Sequence, residues 1–214
     1  METNRQRKEI ILASESPRRK LLLQQAGIEF NVVPSGIDEA SINIPTPVKH
    51  ARALAEAKAA AVSQNCPDAW VIGADSIVVI DDTILNKPES EKDAYMMLSR
   101  LSGRTHRVVT GYSIICRTLE YFHSDACITQ VTFKALSESE IRWYLQTPEP
   151  WDKAGAYAIQ GTAAFMVRQI QGSYTNVVGL PVCEVVDHML QAGAIEMTPG
   201  KNKTNRRQQA ATSK

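Results

Sequence analysis

Nothing in these 214 residues approaches the ~20 consecutive apolar residues that a membrane-spanning helix needs. The opening residues, METNRQRKEIILASES, are charged and then enter a strand-like run. They lack an apolar signal core followed by a small-residue cleavage site, so a cytosolic protein is expected. The four cysteines, Cys66, Cys116, Cys127 and Cys183, are too widely spaced for a zinc pattern. Without a secretory signal they are also not expected to pair as disulfides. The four histidines, His50, His106, His123 and His188, form no HExxH or paired-ligand motif, which argues against a zinc enzyme. No internal repeat stands out.

Charge of one sign is lacking too, but the balance is uneven along the chain. The net charge is +1. Residues 198–214 carry five basic and no acidic side chains, while the remainder holds 19 basic and 23 acidic, a net −4. The body is therefore not a general nucleic-acid binder. The final segment is polar and basic, without apolar periodicity, and reads as a disordered, solvated extension. One domain over residues 1–197 with a basic tail at 198–214 is the expected organisation. Hydrophobic residues at 43% and charged residues at 22% are those of an ordinary globular protein with a sizeable core.

Helix and strand signals alternate. Residues 9–13 read as a short buried strand running directly into a helix, and residues 29–34 as a second strand. Residues 46–64 form a long helix, with Thr46 placed to cap it and Pro47 at its first position. Trp70–Ala74 reads as a buried strand, and Ser76–Ile80 with Thr83–Leu85 as a hairpin about Asp81-Asp82. Residues 90–101 form an amphipathic helix stopped by Gly103. Residues 106–117 and 120–134 read as a long hairpin, 138–146 as a helix, 163–170 and 176–178 as strand-like, and 181–192 as a last helix. Several strand pairs are linked too tightly to be parallel. An α/β fold with a mixed sheet is the expectation.

Five places stand out chemically. Ser14-Glu15-Ser16-Pro17-Arg18-Arg19 joins a strand to a helix, with Ser16 as N-cap and Pro17 in the first turn. Cations are disfavoured at a helix N-terminus, and an anionic ligand between Arg18 and Arg19 would reverse that sign. A plain capped helix with solvated arginines is the competing reading. Lys58 falls within the apolar stripe Val48, Ala51, Ala55, Val62 of its helix. It must snorkel to the surface or meet an anion. Asp75 follows an apolar strand, the place where ligands gather in α/β folds; a carboxylate there can bind a hard cation or take a proton from water. Alone it reads as a turn former. Lys87 precedes Pro88, and Asp38 with Glu39 supplies carboxylates in a loop. The small-residue segment Asp152–Gly161 lets backbone approach a ligand, and Gln160 carries an amide suited to a base edge.

These strings together resemble the Maf family of nucleotide pyrophosphatases. The matching segments are Ala13–Arg19, Ala55–Ala59, Gly73–Ser76, Lys87-Pro88, Leu101–His106, Asp152–Tyr157, Gly172–Tyr174 and Val178–Pro181, spread over about residues 9–192. The resemblance implies a fold similar to the inosine triphosphate pyrophosphatases, with a mixed twisted sheet, flanking helices and two lobes around a central cleft. It implies a homodimer that hydrolyses a nucleoside triphosphate to the monophosphate and pyrophosphate with a divalent cation, Mg²⁺ or Mn²⁺. By the same resemblance Asp75 matches the catalytic acid. Ser16, Arg19, Glu39, Lys58 and Lys87 match the other polar cleft positions, with Glu39 and Asp75 expected to hold the metal. Arg18, Ser76 and Gln160 match positions linked to base selection. The Ser-Pro-Arg-Arg and Ile-Gln-Gly strings look like the branch acting on dTTP and UTP; the branch acting on 7-methyl-GTP tends to carry Trp in the first string. That branch, or a weakly catalytic nucleotide-binding regulator of cell division, is the alternative. Where the dTTP/UTP branch usually has Thr after the catalytic Asp, this chain has Ser76. The lost methyl is worth ~1 kcal/mol or less of packing, so catalysis is expected to survive.

Overall fold

Seven strands join in one mixed sheet in the computed structural model, which describes residues 8–196. The strands are β1 (Ile10–Leu12), β2 (Asn31–Val32), β3 (Trp70–Ile80), β4 (Thr83–Leu85), β5 (Thr105–Cys116), β6 (Tyr121–Phe133) and β7 (Val167–Gln171). Their order is β2-β1-β3-β5-β6-β7, with β4 attached to β3. The pairs β2/β1 and β1/β3 are parallel and all the others antiparallel. Helices α1 (Pro17–Gln25) and α2 (Pro47–Asn65) provide the crossovers that parallel pairing requires. The remaining helices are α3 (Glu91–Leu101), α4 (Glu138–Leu145), α5 (Tyr174–Val178) and α6 (Val182–Gln191). The expected mixed α/β architecture is present. The basic segment 198–214, and the boundary at 197, lie outside the described residues.

Three sequence expectations change. Trp70–Ala74 does not end before Asp75: β3 runs unbroken to Ile80, and Asp75 pairs with Gly111 in mid-strand. The turn tendency of Asp75-Ser76 is overridden because β5 continues the ladder past the point where β1 stops. Residues 176–178 are helical, not strand-like. Their β-branched pair Val177-Val178 favours a strand, but Ser173 accepts the Asn176 N–H at 3.2 Å and Gly179 ends the turn at φ +134°. Residues Thr162–Met166 form a short 3₁₀ turn before β7 begins at Val167. Thr46 stands at the N-cap of α2 without a side-chain cap bond.

Strand alternation divides β3 between two layers. Its odd-numbered residues face α2: Val71 packs with Ala59 and Val62, and Ile77 and Val79 pack with Ala51. Its even-numbered residues face the other helices. Ile72 and Ala74 join a core with Leu12, Leu23 and Met189, whereas Val78 and Ile80 join a second core with Leu98, Phe133 and Tyr144. Ser76 lies between the two cores, as Thr110 does on β5 between Val108 and Tyr112. This polar break separates two lobes on one sheet face.

Helix α2 sits almost directly on the sheet. A Cβ at Gly73 would lie 2.3 Å from the Ala55 carbonyl oxygen, and one at Gly111 the same 2.3 Å from that of Ala51. Only glycine permits this approach, and the small stripe Ala51, Ala55, Ala59 meets it from above. Backbone cannot yield as a side chain does. Gly73→Ala is therefore expected to cost about 3 kcal/mol or more, the upper end of overpacking penalties, as a lowered denaturant midpoint in equilibrium unfolding.

Candidate active site

The close seat of α2 brings Lys58 down onto β3. Lys58 is 7% exposed and Asp75 9%. The Lys58 Nζ donates to Asp75 Oδ1 at 2.7 Å and meets Glu39 Oε1 at 2.9 Å. Snorkelling is thus ruled out: the ammonium is held inside by two carboxylates. Glu39 opens a short turn, Glu39–Ser41, in which Asp38 Oδ1 accepts the Ala40 N–H at 3.1 Å. Burial would raise the Glu39 pKa, but the Lys58 hydrogen bond and the charges of Lys58, Lys87 and Arg19 hold it below the usual carboxylate value.

Ser76, the next residue on β3, points the opposite way, toward α1. The cap at Ser16 forms, its Oγ accepting the Arg19 N–H at 3.5 Å. Arg19 turns inward and is 9% exposed. It donates from Nε to the Gly179 carbonyl at 2.8 Å, from Nη1 to Ser14 Oγ at 3.0 Å and from Nη2 to Ser76 Oγ at 3.2 Å. The solvated alternative therefore fails for Arg19. Burial lowers its pKa, and Asp75 and Glu39 oppose that shift. Arg18 is half-buried, its pKa lowered by burial and supported by Asp152. The Ser76 hydroxyl also shares a 2.8 Å bond with Thr110 Oγ1, which donates to the Asn176 carbonyl at 3.1 Å.

Most of these groups line one cleft of about 1350 Å³, with Thr110 and Asn176 outside its lining. Ser16, Arg18, Arg19, Glu39, Lys58, Asp75, Ser76, Lys87 and Gln160 all contribute to its walls, whereas the loop carboxylate of Asp38 does not. Sequence reasoning missed the polar frame behind them. Ser14 and Gly179 lie inside motifs already noted, but their partners could not be read. Thr110 and the fully buried Asn176 carried no signal, because they act through bonds to residues remote in the chain.

The arrangement can hold a polyanion with Arg18, Arg19, Lys58 and Lys87. A hard cation also fits. Among the described residues no cluster of three or more His, Cys, Asp or Glu could hold a metal by itself. Glu39 and Asp75 nevertheless already converge on one cation, the Lys58 ammonium. One or two carboxylates completed by substrate phosphates and water is the usual donor set for Mg²⁺. Among the described residues no helix is long and apolar enough to cross a membrane.

The chain is 52% identical over 187 residues to a dTTP/UTP pyrophosphatase of Geotalea uraniireducens (strain Rf4), covering 87% of this chain and 96% of that one. It is 52% identical over 186 residues to one from Geobacter sp. (strain M21), with the same coverage of 87% and 96%. A third, from Syntrophus aciditrophicus (strain SB), is 47% identical and covered over 91% of its length, against 87% of this chain. Among solved structures, the Staphylococcus aureus Ham1 protein is 13% identical with a TM-score of 0.47, over 87% of this chain and 100% of that one. The Maf-like protein family matches residues 9–192, from the first strand to just past the last helix. The chain belongs to the Maf-like protein family.

Proposed function

We propose that this protein hydrolyses dTTP and UTP between the α- and β-phosphates, releasing the nucleoside monophosphate and pyrophosphate. The observation that carries the chemistry is the buried Lys58–Asp75 pair, joined by Glu39 from the exposed rim of a cation-lined cleft. The base preference rests on the relatives named above, which align over nearly their whole length.

Asp75 orients the attacking water and accepts its proton. Its Oδ1 takes the Lys58 ammonium, which leaves Oδ2 for the water. Lys58, Lys87 and Arg19 neutralise phosphate charge as it shifts toward the leaving pyrophosphate, in a site preorganised for it. Arg19 is well placed for this because Ser14, Ser76 and Gly179 fix its guanidinium. Ser16 offers its hydroxyl to phosphate oxygens at the positive end of α1. Arg18, Ser76 and Gln160 select the base. Glu39 and Asp75 would hold Mg²⁺ or Mn²⁺ together with the substrate phosphates, and the bound cation supplies charge neutralisation across the phosphate oxygens. A metal-bound carboxylate is a poor base, so a water-bridged contact from Asp75 reconciles its two roles. The resemblance also supports a homodimer in the cytosol, with residues 1–197 as the catalytic unit and 198–214 as an extension; sedimentation of the full chain tests the dimer.

The reading is tested by pyrophosphate release from dTTP, UTP, CTP, GTP and 7-methyl-GTP with Mg²⁺ and with Mn²⁺. The expected result is a kcat/KM for dTTP and UTP about 10² or more above the others, well within what a hydrogen-bonding base site supports. Preference for 7-methyl-GTP would overturn the base assignment. Triphosphate binding without pyrophosphate release would overturn the activity.

A further inference from the structure

The turn that follows Gln160 is tied down by a carboxylate outside the cleft. Between Leu145 and Val167 no residue belongs to a strand or an α-helix, so this stretch has no ladder to hold it. Glu149 supplies the missing hold. Its Oε2 accepts the Thr162 N–H at 2.6 Å. Its Oε1 accepts the Ala163 N–H and the Tyr144 hydroxyl, each at 3.0 Å. Tyr144 is fully buried in α4. One carboxylate thus joins the two ends of segment 149–162 to a rigid helix. Bonds from N–H to an ionised acceptor are roughly twice as strong as neutral ones.

The sequence is fitted to this contact. A Cβ at Gly161 would lie 1.9 Å from Glu149 Oε2, so only glycine leaves the carboxylate its place. Inside the closed segment, Trp151, Asp152, Lys153 and Gln160 line the cleft, whereas Glu149 does not. Gln160 is exposed and cannot be held by packing of its own side chain. Its direction is set by its backbone, and its backbone by the clasp that begins two residues on, at Thr162.

We infer that Glu149 is a positioning residue for base recognition, holding segment 150–161 so that Gln160 presents one end of its amide to the base. The inference rests on the assignment of Gln160 to the base in the proposed function. An amide free to turn offers its acceptor to a cytosine amine and its donor to a uracil carbonyl alike. Loss of the clasp therefore costs discrimination, while phosphate chemistry on β3 and α2 continues.

The test compares kcat/KM for UTP and CTP in Glu149→Gln, Gly161→Ala, the double variant and Gln160→Ala, with thermal midpoints to confirm folding. Glu149→Gln sets a donor against the Thr162 N–H. Gly161→Ala pushes the carboxylate out from the other side without altering its charge. Each is expected to lower the UTP-over-CTP ratio about tenfold through the KM for UTP, with kcat little changed, since a displacement of an ångström or so is costly in a preorganised site. The double variant is expected to be no worse than either single one, because both break the same contact. A ratio lowered by Gln160→Ala but untouched in folded Glu149→Gln and Gly161→Ala overturns the clasp alone. A ratio lowered by the clasp variants but not by Gln160→Ala keeps the clasp and overturns the Gln160 assignment. A ratio that no variant moves overturns both.

Discussion

Asp75→Asn is expected to lower pyrophosphate release by about 10³-fold or more while leaving a folded protein that still binds triphosphate. Asparagine keeps the volume of the side chain and an oxygen to accept the Lys58 ammonium, now 2.7 Å from Oδ1. Lys58 also keeps Glu39 at 2.9 Å, so no charge is stranded in the interior. What is lost is the group that takes a proton from water. Removal of one negative charge from a cleft built for a polyanion tightens triphosphate binding in the absence of metal, if it changes it at all. The metal then separates the two roles of Asp75. If Asp75 acts through an intervening water, the gain in triphosphate binding from Mg²⁺ shrinks by about tenfold, as for a lost outer-shell contact; if it holds the cation directly, the gain shrinks further. Calorimetric titration with and without Mg²⁺ reads the difference. Turnover within a factor of ten of the wild type would falsify the assignment of Asp75 as the base.

Lys58→Met carries the second large effect. Methionine keeps an unbranched stem at this buried position and removes only the charge. Turnover is expected to fall about 10²-fold or more, since a fixed cation facing the phosphates is lost. A second consequence follows from the geometry. In the free protein the ammonium occupies the point where Glu39 and Asp75 converge, so a divalent cation must compete with it. With the ammonium gone the two carboxylates lose their shared partner, and only the charges of Lys87 and Arg19 offset them. The variant is expected to bind Mn²⁺ about tenfold more tightly than the wild type without nucleotide, following the usual gain when a local positive charge is removed. Its thermal midpoint should fall in metal-free buffer and recover on adding Mn²⁺, because the ligand binds only the folded state. Unchanged Mn²⁺ affinity together with unchanged turnover would reduce Lys58 to a structural ion-pair partner with no part in the chemistry.

The sequence reading succeeded wherever a property is averaged along an element. Lys58 on the apolar stripe of α2 was legible because a helix repeats every 3.6 residues and burial is shared by many neighbours. The β5–β6 hairpin and the Asp81-Asp82 turn were legible for the same local reason. Asp75 was misplaced at a strand end because nothing local distinguishes a strand that stops from one whose parallel neighbour stops while an antiparallel one carries on. Residues 176–178 were misread because their β-branched pair is overridden by the Ser173 cap and by the buried bonds of Asn176 to Val108 and Thr129.

The sequence by itself determined the inventory: the mixed α/β class, the family, and nine polar residues that all prove to line one cleft. Only the tertiary structure decided the partners. Whether Lys58 meets solvent, phosphate or carboxylate depends on how closely α2 rests on Gly73 and Gly111, a distance no local pattern encodes. That Asp75 faces Lys58 while Ser76 faces Arg19 follows from strand alternation, but only once β3 is known to run through both. The clasp of Glu149 on the turn beyond Gln160 is of the same kind. A hydrogen bond is decided within a few tenths of an ångström, and only the folded chain sets distances that finely.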